Sequence, residues 1–99
     1  MIRHVLTWKL SAEDSAGRSS AFTELAEGFG ALPHVIPEIK MLWIGRDIEE
    51  TDGNWNVALI IDFATTADLE VYQTHPEHLK VKEIVRRVTN ARTCVDFEL

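Results

Sequence analysis

A single cysteine, Cys94, stands among the 99 residues. One thiol closes no disulfide within the chain and leaves a thiolate metal centre short of ligands. Long apolar runs are missing too. None approaches the ~18–20 residues of a membrane span, and the opening MIRHVLTWKL lacks the apolar core of a secretory signal. A reducing cytoplasm is the expected compartment. Basic residues are few, 10 Lys and Arg against 16 Asp and Glu, for a formal net charge of −6. Nucleic acid and anionic lipid both require clustered lysine or arginine, so neither is an expected partner. The densest basic stretch, Lys80, Lys82, Arg86 and Arg87, is interrupted by Glu83 and reads as the solvated face of a helix. There is no phosphate-binding glycine loop and no G-x-S-x-G, and Gly28-x-Gly30 falls inside a helical pattern.

What remains is an ordinary globular composition, 45% hydrophobic and 26% charged, on a length that suits one domain over residues 1–99. Residues 2–10 alternate. Ile2, His4, Leu6, Trp8 and Leu10 fall on one face and Arg3, Val5, Thr7 and Lys9 on the other, the period of a strand. Ser11, followed three residues later by Asp14, predicts a capping-box-like helix start. Phe22, Leu25, Ala26, Phe29 and Leu32 then recur at helical spacing. Gly28 and Gly30 weaken the last turn, and Pro33 and Pro37 bracket a turn.

Ile39 to Ile44 predicts a second strand ending at Gly45, and the polar segment 48–54 a hairpin loop. Trp55 to Phe63 reads as a third strand, apolar on both faces and so expected to be central and covered on both sides. Thr65 with Asp68 caps a short helix. His75-Pro76 breaks it, and an apolar stripe resumes through Val81, Ile84, Val85 and Val88. Thr93 to Leu99 alternates as a last strand. The order β-α-β-β-α-β predicts an α+β, ferredoxin-like subunit: a four-stranded antiparallel sheet with its helices on one face. The other face would carry Val5, Thr7, Ala58 and Ile60, too apolar to stay wet. A second copy of the chain is the expected cover.

Several segments together resemble the stress-responsive A/B barrel (Dabb) family. They are I-R-H-V-L-x-x-K-L (2–10), the prolines and isoleucines of PHVIPEI (33–39), N-W-N-V-A-L-I-I-D-F (54–63), D-L-x-x-Y-x-x-H-P-E-H (68–78) and V-D-F-E (95–98). The resemblance spans nearly the whole chain. It implies a subunit whose sheet joins a partner's in a dimeric β-barrel, helices outside. It also implies a mainly apolar pocket between sheet and helices for a small molecule. Within that family a plant polyketide cyclase closes a linear poly-ketone without metal or organic cofactor.

By that resemblance Tyr72, His78 and Asp96 match the cyclase-type positions, and His4 lines the same pocket. In this reading Asp96 orients His78, His78 removes a proton, and Tyr72 donates a hydrogen bond to the developing oxyanion. His75, Leu6, Trp8, Phe22, Val57 and Leu59 are the other expected pocket residues. Val57 stands where the cyclase type has a further histidine, a departure that alters pocket polarity and with it the substrate.

Other readings of the same residues stay open. A buried His–Asp bond can simply brace strand to helix, because a polar group left unpaired inside costs ~1–3 kcal/mol. His75-Pro76 can serve as breaker and cap alone. The chain would then be a non-enzymatic, stress-related dimeric module. His4, His75, His78 and Asp96 are chemically suited to a transition metal, but their spacing matches no compact metal motif, and no cofactor is expected. Cofactor-free monooxygenases occur among dimeric α+β barrels as well, although no residue here selects oxygen chemistry.

Overall fold

The computed structural model describes residues 1–99, in the order β1 (Ile2–Leu10), α1 (Ser15–Ala31), a 3-10 turn (Leu32–His34), β2 (Ile39–Arg46), β3 (Val57–Phe63), α2 (Thr66–Thr74), α3 (Pro76–Val88) and β4 (Thr89–Glu98). The strands form one antiparallel sheet in the order β2-β3-β1-β4. This is the α+β ferredoxin-like arrangement expected from the sequence, with the second helix broken at His75. No helix is long and apolar enough to cross a membrane.

Alternation in β1 does what its pattern demands. Ile2, His4, Leu6, Trp8 and Leu10 are buried on the helix side. β3 contributes Val57, Leu59, Ile61 and Phe63 to the same layer, the last two with no exposed surface. Helix α1 brings Ala21, Leu25 and Phe29 down onto them. Its start differs from expectation. Ser11 ends β1, its N–H donating to the Val88 carbonyl at 2.8 Å, and Asp14 is the cap, accepting from the Gly17 N–H at 2.6 Å. The side chain nearest the first helical turn takes the orphan donors, and Ser11 lies too far upstream to reach them. Gly28 has a packing role. A Cβ there would meet Val81 Cγ1 at 3.1 Å and Ile84 Cδ1 at 3.3 Å, so its absence lets α1 and α3 approach closely.

The outer face of the sheet is open in the single chain. Cross-strand register aligns Trp43, Ile60, Val5 and Val95 in one row and Met41, Asp62, Arg3 and Phe97 in the next. Met41, Trp43, Val95 and Phe97 are exposed, an apolar surface that water does not favour. β3 is central, as expected, but it is covered on its helix side only: Ala58 is exposed and Ile60 half-buried. Asp62 is buried on this open face because Arg3 clamps it through two hydrogen bonds of 2.8 and 2.9 Å. The guanidinium holds the Asp62 carboxyl below the ordinary aspartate range.

Candidate functional site

The chain around Pro76 sets the geometry of the site. Thr65 Oγ1 accepts from the Asp68 N–H at 3.1 Å and starts α2. Pro76 has no N–H and forces His75 into extended backbone, φ −66° and ψ 134°, so α2 must stop. His75 then serves both helices. Its N–H donates to the Tyr72 carbonyl at 3.2 Å, closing α2, and its Nδ1 accepts from the Glu77 N–H at 3.1 Å, opening α3. Expected in the pocket wall, His75 is instead a double cap and does not line the main cavity.

His78 follows within the first turn of α3. Its Nδ1–H donates to the same Tyr72 carbonyl at 3.0 Å, so the lone pair sits on Nε2. The imidazole stacks on the Tyr72 ring, centroids 4.0 Å apart and planes 17° from parallel. Both residues are buried. Burial, helped by nearby Lys82 and His4, pushes the His78 pKa down to about 4, so the ring is neutral near pH 7. Burial drives the Tyr72 phenol well above its ordinary range and keeps it a proton donor.

Asp96 does not reach His78. β1 and β4 pair with His4 directly opposite Asp96, and directly opposed residues of an antiparallel pair share a face. The His4 Nδ1 is hydrogen-bonded to Asp96 Oδ1. The carboxylate only accepts, so the proton of this bond is on His4 Nδ1. The site therefore holds two histidines, each pinned at Nδ1: His4 by a carboxylate, His78 by a backbone carbonyl.

Cys94 lies beside this pair, Sγ 3.6 Å from His4 Nδ1 and 3.8 Å from Asp96 Oδ1. Burial and the Asp96 charge raise its pKa, which keeps the thiol protonated and a poor nucleophile. His4, Cys94 and Asp96 place one donor atom each within 4.8 Å of one another, the donor set a soft divalent ion would take. Here the imidazole nitrogen is engaged by the carboxylate. His75 and His78, the other histidines expected as ligands, are held elsewhere, on backbone groups.

A cavity of about 530 Å³ opens between α3 and β4. Leu6, Trp8 and Leu59 from the sheet and Phe29 from α1 give it an apolar lining, and His4, Tyr72 and His78 face it as well. Its size is that of a small-molecule site. Six of the ten residues singled out from sequence thus converge. Phe22 does not. It lies two turns before Phe29 on α1, about 10 Å along the axis, half-buried against the core. Val57 is buried opposite Trp8 and Arg46 and is not among the residues that line the cavity.

Sequence reading missed Phe29, Gln73, Lys82, Val85, Arg86 and residues 89–92 in the wall. One signal was available: His78, Lys82 and Arg86 recur every four residues and so share a helix face.

The buried histidine makes stability depend on pH. Between pH 6.5 and about 4 the unfolded chain carries a proton on His78 that the folded chain refuses. Stability is therefore expected to fall as pH drops through that window, and to be fully present above it. Solvent in the cavity trims the effect to about 1–2 kcal/mol. Urea unfolding at about pH 7.5 and about pH 4.5 measures it, and His78→Gln is expected to remove that share of the difference.

The family model for the stress responsive A/B barrel domain matches residues 2–99. No curated protein matches. Among solved structures, a dimeric ferredoxin-like protein of unknown function from Bacteroides fragilis is 29% identical with a TM-score of 0.89, covering 99% of this chain and 95% of its own. A dimeric ferredoxin-like protein of unknown function from Thermobifida fusca is 26% identical with a TM-score of 0.84, covering 99% and 90%. A hydroxynitrile lyase from Passiflora edulis shares the fold at 17% identity and a TM-score of 0.80, covering 97% and 90%.

Proposed function

This chain belongs to the stress responsive A/B barrel domain family, and we propose that it binds a small carbonyl compound of the polyketide-like kind and removes a proton from the carbon beside the carbonyl. One observation carries the reading. A neutral His78, a protonated Tyr72 and a carboxylate-held His4 all face one cavity of about 530 Å³ with an apolar floor of Leu6, Trp8, Phe29 and Leu59. His78 Nε2 takes the proton, the C–H electron pair becomes the C=C bond of the enolate, and the carbonyl π pair moves onto the oxygen. Tyr72 O–H donates to that oxygen as its charge develops. The enolate in turn offsets the imidazolium formed in a buried place. Asp96 acts on His4, which lines the pocket beside Tyr72, the two ring centroids 5.9 Å apart. The chemistry needs no metal or organic cofactor. The open sheet face takes a second copy of the chain, a pairing supported by the dimeric relatives.

Deuterium wash-in at the methyl group of acetophenone, followed by proton NMR, tests the catalytic part. The protein is expected to speed exchange over buffer. His78→Gln is expected to lower the catalysed rate by about 10²–10⁴-fold and Tyr72→Phe by about 10²-fold. Ketone binding without exchange would make the chain a binding module whose histidines brace the fold. No binding would remove the pocket reading altogether.

A further inference from the structure

We propose that the ligand of this pocket carries an anionic group, such as a carboxylate, seated between Arg92 and Lys82. The inference rests on the pocket reading above and adds a substrate class to it. The chain as a whole is acidic, with 16 Asp and Glu against 10 Lys and Arg. The cavity inverts that balance: Lys82, Arg86 and Arg92 line it, and no aspartate or glutamate does.

Pairing sharpens the contrast. Five of the six arginines hold a carboxylate: Arg3 on Asp62, Arg18 and Arg46 on Glu49, Arg86 on Glu83, and Arg87 on Glu24. Arg92 holds none, and Lys82 likewise makes no ion pair. Arg92 stands on β4 opposite Trp8, sharing the helix-side face with Cys94 and Asp96. Asp96 and Glu98 are the acids of that face; Asp96 is committed to His4, and Glu98 lies six residues along the strand from Arg92, opposite Ile2.

Two uncompensated cations therefore border a cavity that also holds the proton-transfer groups, Lys82 near His78 and Arg92 near Tyr72. A neutral apolar ligand would use the lining and leave both cations idle. A ligand with an apolar body and a carboxylate uses both, through charge-assisted hydrogen bonds of the kind arginine makes well.

Calorimetric titration of the full chain with 2-naphthoate and with 2-naphthamide tests this. The acid is expected to bind at least about tenfold more tightly than the amide, with the gap narrowing as salt is raised. Arg92→Gln combined with Lys82→Gln is expected to bring the two affinities within about threefold, chiefly by weakening the acid. Equal binding of acid and amide to the unsubstituted protein would overturn the anionic assignment and leave the pocket reading intact. A preference that survives the double substitution would overturn it too. Binding of neither compound would sink the pocket reading, and this inference with it.

Discussion

Ile60→Asp is expected to leave the protein monomeric at concentrations where the unsubstituted chain sediments at twice its 11.2 kDa. Ile60 sits at the centre of the open sheet face, between Val5 and Trp43 in the cross-strand row that ends at Val95. A second copy laid on that face buries the row, and a two-fold axis brings each protomer's substitution into the same interface. Each aspartate then loses its water without gaining a partner, a penalty of several kcal/mol per ion. At 1.4 kcal/mol per tenfold, dissociation is expected to strengthen by about 10³-fold or more. Ile60 is only half-buried within one chain, so circular dichroism is expected to show the helices intact. Sedimentation of the variant as a dimer would place the interface elsewhere, and a monomeric unsubstituted protein would end the argument from the exposed face.

Phe29→Ala acts on the core and the site together. Phe29 is 1% exposed, and its ring centroid lies 5.4 Å from that of Trp8 and 6.2 Å from that of His78. Truncating a buried phenylalanine costs about 3–5 kcal/mol in lost transfer energy and cavity. A value near 3 kcal/mol is expected here, because one side of the ring already borders the pocket. That is a large share of the roughly 5–15 kcal/mol that holds a domain of this size together. The loss is expected as a lower urea midpoint at unchanged slope. His78 loses part of its apolar cover in the same variant, so its pKa is expected to climb from about 4 toward 6.5, followed by its ring-proton shift in NMR. A stability loss with an unmoved His78 would mean that burial by Phe29 is not what holds the imidazole neutral.

Much of the fold was legible because local physics decides it. The nine residues of β1 alternate without an exception, and Thr65 caps α2 as its side chain and spacing require. Pro76 breaks the helix for covalent reasons that no context overrides. The pairing of Asp96 was not legible in the same way. It depends on register between strands at opposite ends of the chain, and Asp96 looks equally suited to His4 or His78 until β4 is aligned with β1. The boundary of β4 was hidden too. Helix α3 passes into β4 at Thr89 with no glycine or proline to mark the change, so residues 89–92 gave no sign that they reach the pocket. Lys82 and Arg86 share a face with His78, but their charge reads as solvation unless a cavity is known to lie there.

The alignment of β1 with β4 also bears on when the site comes into being. Ile2 pairs with Glu98 and His4 with Asp96, so one wall of the pocket joins residues more than ninety positions apart. Closing so long a loop costs entropy before any contact repays it, and topologies dominated by such pairings fold slowly. β2 and β3 are near neighbours in sequence and can associate early, whereas β4 leaves the ribosome after the other three strands. A nascent chain thus has its helices and the β2–β3 hairpin in hand before Asp96 exists to hold His4. The wall that joins β1 to β4 is the last part of this sheet to close, and a chain cut short within β4 would lose it first.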